Sequence, residues 1–332
     1  MAMKTPGQRG PWRTAAEIAA ITASAAGALA LANRLARLGV GEPEPPLHGQ
    51  AGYYPWTHGS VHYIARGRGP AVALIHGIYP GASSFEYRKV FERLADRYRV
   101  FALDLLGFGL SGRPAVTYTP GLYVELIEDF LSQVVGAADH PVTVVAPGLS
   151  AAFVIHAAAR RPDHFSGLAL IEPAGLPVDA RGTGSALATL QRALLRSPLL
   201  GEALYNLVVS RPGLRAGLGY SAYSDFRAVS DDIVDQFYTM AHQPGARFAP
   251  ADALAGALFT PVSATFASMT TPTLILWGRR DHRMPVSRAR AFQELRPDLD
   301  LRVFPTGGLP QEEAPDAFLR ALLGWMGALA RV

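Results

Sequence analysis

The chain contains no cysteine. Disulfides, cysteine-ligated zinc, iron–sulfur clusters and thiol nucleophiles are therefore all excluded. Lysine is almost missing too: Lys4 and Lys89 are the only two, so arginine carries nearly all the positive charge. The arginines are scattered rather than gathered into a stripe, and a net charge of +4 is weak support for a nucleic-acid surface. Charged residues make up only 17% of the 332 positions and apolar ones 49%, which suits a buried core and not a disordered chain. No histidine pair has metal spacing, and neither Gly107-Phe108-Gly109 nor Gly77 to Gly81 has the pattern of a phosphate-binding loop. The residues imply no metal, no organic cofactor and no nucleic-acid partner.

What is present divides the chain by composition. Lys4, Arg9 and Arg13 precede an alanine-rich stretch from Ile18 to Ala32, and Arg34 and Arg37 follow it. The pattern imitates a signal peptide or anchor, but the run is shorter than the roughly 20 residues that a span requires. Residues 1–40 are read as a helical, anchor-like segment lying on the protein or at a membrane surface, which makes the expected location cytoplasmic or membrane-peripheral. Residues 41–60, opening with Gly41-Glu42-Pro43-Glu44-Pro45-Pro46, read as a stiff linker.

Beyond the linker, short apolar runs alternate with helix-like stretches. Val61–Ile64 and Ala71–Ile75, joined by Arg66-Gly67-Arg68-Gly69-Pro70, read as an antiparallel hairpin. Arg99–Leu103, Val142–Ala146, Leu168–Ile171, Thr273–Trp277 and Leu301–Phe304 follow, mostly continuous in apolar character, as in strands covered on both faces. The order predicts an α/β fold with a mostly parallel, doubly wound sheet. Its core comprises residues 61–177 and 269–332. Residues 178–268 show helical periodicity without a strand and are read as an inserted helical cap over the carboxyl edge of the sheet, where ligands of such sheets bind. The cap aromatics Tyr220, Tyr223, Phe226, Phe237 and Tyr238 are candidates for the roof of that site.

Four segments occur in a telling order. They are His76-Gly77-Ile78-Tyr79-Pro80-Gly81; Asp104-Leu105-Leu106-Gly107-Phe108-Gly109; Ala146-Pro147-Gly148-Leu149-Ser150; and Trp277-Gly278-Arg279-Arg280-Asp281, followed by Leu309-Pro310-Gln311-Glu312-Glu313. Together they make the chain resemble the α/β-hydrolase superfamily, in the capped branch of haloalkane dehalogenases, epoxide hydrolases and esterases. The resemblance implies a nucleophile on a strained strand-to-helix elbow, a histidine base and a carboxylate that orients it. It assigns the acid to Asp281, with Glu172 in reserve. The backbone donors of an oxyanion hole fall to Ile78 and Leu149, with His76 and Gly77 shaping the loop and Tyr79 and Phe108 lining the floor.

Two expected groups are absent. In the small-x-nucleophile-x-small pattern, Ala146 and Ser150 are the small residues and Gly148 occupies the nucleophile position. Pro162 closes the following helix at the family's usual distance from Gly148. Glycine tolerates the positive φ of the elbow but has nothing to attack with. Ser150, two places on, reads as a helix-capping residue and only secondarily as a displaced nucleophile. In the Gly-His that precedes Leu-Pro-x-Glu-Glu in relatives, Gly308 occupies the histidine position, and no histidine occurs after His282.

Three functions compete. The first is a hydrolase-fold protein with a degenerate triad, binding an apolar small molecule or running chemistry that needs no triad. The second is an active hydrolase of an ester, epoxide or similar apolar substrate. The third is a scaffold at a membrane surface, attached through residues 1–40.

Overall fold

The structure is a computed structural model that describes residues 11–177 and 185–331. Lys4, Arg9 and the predicted start of the cap at Val178 lie outside the described residues. Strands β1 (Gln50–Trp56), β2 (Gly59–Arg66), β3 (Ala71–Ile75), β4 (Arg99–Leu103), β5 (Val142–Pro147), β6 (Phe165–Ile171), β7 (Thr273–Gly278) and β8 (Asp300–Phe304) form one sheet. Its order is β1-β2-β4-β3-β5-β6-β7-β8. β1 and β2 are antiparallel, as are β2 and β4, and every other neighbouring pair is parallel.

The helices are α1 (Pro11–Ala36), α2 (Phe91–Ala95), α3 (Pro120–Phe130), α4 (Gly148–Arg160), α5 (Ala186–Arg196), α6 (Leu200–Val208) and α7 (Arg211–Ser221). They continue with α8 (Asp231–Ala241), α9 (Phe248–Leu254), α10 (Ser263–Ser268), α11 (Ser287–Leu295), α12 (Pro310–Glu313) and α13 (Pro315–Leu329). Alternation along the central strands builds two cores, one on each face of the sheet. Val144 and Ala146 of β5 face Phe130 of α3 and Phe153 of α4, while Val145 faces Phe91 of α2 and Phe318 of α13.

The described part of the interval predicted as a cap holds helices α5 to α10. Serines start three of them: Ser185, Ser210 and Ser230 each accept a backbone N–H from the first turn. Tyr205, Leu214, Leu218, Ile233 and Phe237 form a third core, which packs on Tyr79 and Phe85 of the loops at the strand ends. The cap is thereby seated on the edge where β3, β5, β6 and β7 end.

Two sequence expectations need correction. The predicted linker 41–60 contains β1, an edge strand whose exposed and covered residues alternate. Pro55 is tolerated there because an edge strand bonds on one side only. β2 and β3 are also not paired with each other. β4 lies between them, antiparallel to β2 and parallel to β3. The link crosses beside the α2–β4 turn at Gly67 (φ +87°), where a Cβ would overlap the Tyr98 carbonyl oxygen. Ala71–Ile75, almost wholly buried, belongs in the centre of the sheet for the same reason that its run is unbroken.

The turn after β4 is held by one carboxylate. Asp104 accepts the N–H of Ser84 at 2.7 Å, that of Leu110 at 2.9 Å and His62 Nδ1 at 2.9 Å, all buried or nearly so. Asp104→Ala leaves a buried imidazole and backbone donors without their acceptor, so a loss of about 3–5 kcal/mol in urea-unfolding stability is expected. A loss below about 1 kcal/mol would show that this network does not hold the turn.

Candidate functional site

β5 passes into α4 within one residue. Gly148 takes φ +50°, and a Cβ built there would meet nothing within 4 Å. The open space is a cavity of about 370 Å³ between the strand ends and the cap helices α6, α7 and α9. Its roof is aliphatic, with Val208, Leu214, Leu218 and Leu254, and its floor includes Ile78, Tyr79 and Leu149. The N–H groups of Ile78 and Leu149 find no acceptor among the described residues.

Two carboxyl groups meet at the other side of the cavity. Asp281, just past β7, accepts the N–H groups of Arg283 at 2.5 Å and Met284 at 2.9 Å on Oδ1. Glu172, just past β6, accepts the Gly278 N–H at 2.8 Å on Oε1 and is hydrogen-bonded to Asp281. Burial, then the hydrogen bond and negative charge of Asp281, push Glu172 up to about 10, against the opposing pull of the Gly278 N–H and Arg283. At about 10, Glu172 keeps its proton at neutral pH. Glu172 is also the one non-glycine at positive φ (+45°) among the described residues, a local strain held by its surroundings.

The pair stands where the histidine would start. A Cβ on Gly308 would lie 2.5 Å from Asp281 Oδ2 and 3.1 Å from Glu172 Oε2. Either carboxyl would have to move to admit an imidazole, whereas the nucleophile position is unobstructed.

The other sequence-predicted residues fall as follows. Ser150 is buried in the first turn of α4, where its hydroxyl donates to the His76 carbonyl at 2.6 Å, and it does not line the cavity. His76 has both nitrogens committed: Nδ1 donates to the Gly77 carbonyl at 2.7 Å and Nε2 accepts the Leu105 N–H at 3.0 Å. Burial lowers its pKa further, so it stays neutral and braces the loop. Gly77 and Tyr79 line the cavity. Phe108 does not. It is buried edge-on against His76, with ring centroids 5.5 Å apart.

The aromatic roof expected from the cap is also corrected, since none of the five rings lines the cavity. Phe237 stacks on Tyr79, Tyr223 is buried near Glu312, Tyr238 stacks on His242, and Tyr220 and Phe226 are exposed. Large rings fill the seams between cap helices, and small or branched side chains leave the space.

Sequence reasoning missed Glu86. Its carboxylate accepts the Gly77 N–H at 2.9 Å, the Tyr79 hydroxyl at 2.6 Å and the Gln311 side-chain amide at 2.8 Å. Burial pushes it up to about 7 despite those three donors. The available signal was a lone glutamate inside the apolar run Phe85-Glu86-Tyr87. By holding Gly77 it fixes the loop that carries Ile78. No cluster with a metal-binding set of side chains occurs among the described residues.

A family model described as "Alpha/beta hydrolase family" matches residues 72–321. An uncharacterized protein of Mycobacterium tuberculosis is 28% identical over 260 residues, spanning 76% of this chain and 74% of its own. A 2-hydroxy-6-oxo-6-(2'-aminophenyl)hexa-2,4-dienoic acid hydrolase of Metapseudomonas resinovorans is 26% identical over 280 residues, 82% of this chain and 89% of its own. Among solved structures, a serine hydrolase involved in carbazole degradation superposes with a TM-score of 0.70 at 25% identity, covering 85% of this chain and 100% of its own.

The carboxyl pair has a measurable signature. A group whose pKa is raised on folding binds more protons folded than unfolded, so its stabilisation is complete below the unfolded value and declines as pH rises toward the folded one. Glu86 and Glu312, both at about 7, contribute to that decline up to neutrality, and above it Glu172 dominates. Glu172→Gln keeps an acceptor for Gly278 and a donor for Asp281. Its Tm relative to wild type is expected to rise steadily from pH 7 to 9.5. Parallel Tm profiles over that window would show that Glu172 does not hold a proton there.

Proposed function

The chain belongs to the alpha/beta hydrolase family, and from that premise we propose that it binds an apolar small molecule carrying one carbonyl-type oxygen, without covalent catalysis. The carrying observation is the elbow itself: Gly148 keeps its left-handed geometry and opens onto the cavity with no side chain. The position of a histidine is filled by carboxyl oxygens. A degenerate triad of this kind has neither an attacking atom nor an imidazole to take its proton. Ser150 offers no substitute, because its hydroxyl is spent on the His76 carbonyl and the imidazole nitrogens of that histidine are committed elsewhere.

What survives is a binding site. Aliphatic walls favour an apolar body, and a few fixed polar groups set its orientation. The N–H groups of Ile78 and Leu149 suit a ligand oxygen, in the manner of an oxyanion hole used for recognition. Glu172, kept neutral by burial and by the neighbouring Asp281, leaves the far wall without a second negative charge that would repel a ligand oxygen.

The wild-type protein is expected to show no adduct with a fluorophosphonate probe by intact mass and no hydrolysis of p-nitrophenyl butyrate above the buffer rate. It should bind 2-decanone in isothermal titration. Gly148→Asn places a side chain tolerant of the left-handed region into the open space, and should weaken the ketone about tenfold, the size of effect expected for a lost apolar and polar contact of about 1.4 kcal/mol. A probe adduct that Ser150→Ala removes would instead establish an active hydrolase.

A further inference from the structure

Among the described side chains of helix α1, most large apolar ones turn away from the protein. Ala26, Leu29, Asn33 and Ala36, spaced three or four apart, are the residues at least partly covered by the rest of the chain. Asn33 donates to the Leu199 carbonyl at 3.1 Å and accepts from the Asn206 amide at 3.1 Å, while the Tyr238 hydroxyl donates to the Ala36 carbonyl at 2.8 Å. Arg37, just past the helix, pairs with Glu202 of α6 at 2.7 Å. Ile21, Leu31 and Leu35 are exposed, Ile21 to 70%, and Leu38 just beyond the helix is exposed as well. Leu31 follows Leu29, and Leu35 follows Asn33, by two positions, about 200° around a helix. Among the described side chains, the covered face therefore carries one leucine with small and polar residues, and the outward face carries isoleucine and leucines.

The cap, on which α1 packs, carries exposed leucines of its own. α5 has no buried residue, and Leu187, Leu190 and Leu194 form an exposed stripe at helical spacing, Leu187 to 73%. Leu200, Leu204 and Leu207 of α6 add to it, Leu207 at 70%. Val208 and Leu254 are half exposed and also line the cavity, so its mouth lies beside this surface. Around it stand Arg34, Arg37, Arg192, Arg196 and Arg247, opposed by Glu202 and Asp252 alone among the carboxylates that pair with them. Exposed apolar side chains on neighbouring helices, with arginines in excess of carboxylates beside them, suit an interaction surface, and the charge complements anionic headgroups.

We propose that α1 with helices α5 and α6 docks side-on onto an anionic lipid bilayer, setting the cavity mouth at the lipid. Within Ala19–Ala36 the mean hydropathy is 1.2 and only 6% is buried, apolar enough for a membrane. Arg34 lies inside that window and Asn33 is tied to the cap, so the helix lies on the membrane instead of crossing it. Uptake of the ligand from the bilayer rests on the function proposed above; docking does not.

The test is co-sedimentation of the full chain with vesicles of phosphatidylcholine containing 30% phosphatidylglycerol. Binding is expected, weakened severalfold by 0.5 M NaCl or by pure phosphatidylcholine. Leu31→Glu/Leu35→Glu changes only exposed positions, and should weaken vesicle binding at least tenfold while leaving Tm and lipid-free 2-decanone binding unchanged. Wild-type protein left in the supernatant with both vesicle types would overturn the proposal. So would a wild-type dimer by light scattering that L31E/L35E splits without any vesicle binding, since a second copy would then cover the face. Failure of docking with intact ketone binding sinks this inference alone, and vesicle binding without ketone binding sinks the function alone.

Discussion

A parallel strand that becomes a helix within a single residue must place that residue at positive φ, and Gly148 does so at +50°. The arrangement of the whole site follows from that reversal. It points α4 back along one face of the sheet, leaves the first helical N–H groups unpaired toward the strand ends, and directs the apex at the cavity. Ser150 in the first turn ties this helix to the loop after β3 through the His76 carbonyl. The loop is in turn held by Glu86, which grips Gly77. The shape of the elbow is therefore set by backbone geometry and neighbouring hydrogen bonds, with no side chain at its apex.

The carboxyl pair is the counterpart on the far wall. Burial and the adjacent Asp281 together raise Glu172 far above the usual carboxylate range, so it stays neutral. The pair is coherent with the missing histidine. In its absence the two acids bond to each other, and Asp281 Oδ2 occupies the space beside Gly308. The cavity has mostly apolar walls, with a neutral acid and N–H groups that find no acceptor among the described residues at its polar positions.

The cap contributes in two directions. Its inner aromatics make a core of their own, leaving branched aliphatic residues at the roof. Its outer leucines join the outward residues of α1, whose exposure makes sense against an apolar medium. Ligand cavity and exposed apolar face share Val208 and Leu254.

Much of this was readable from residue order. Unbroken apolar runs identify strands covered on both faces, because both sides of such strands lose contact with water. That positions 148 and 308 bring no side chain to the cavity is legible in the sequence, since no fold can supply a side chain that the chain lacks. Pairing was less legible: β1 was hidden in a proline-rich stretch, and β3 took β4 and β5 as neighbours instead of β2. Which strands adjoin depends on burial across the whole sheet, a non-local quantity. The meeting of Glu172 with Asp281, the role of Glu86 and the aliphatic roof likewise arose only on folding. Proton sharing and desolvation depend on distances of a few ångströms between segments about a hundred or more residues apart, and composition carries no record of such distances.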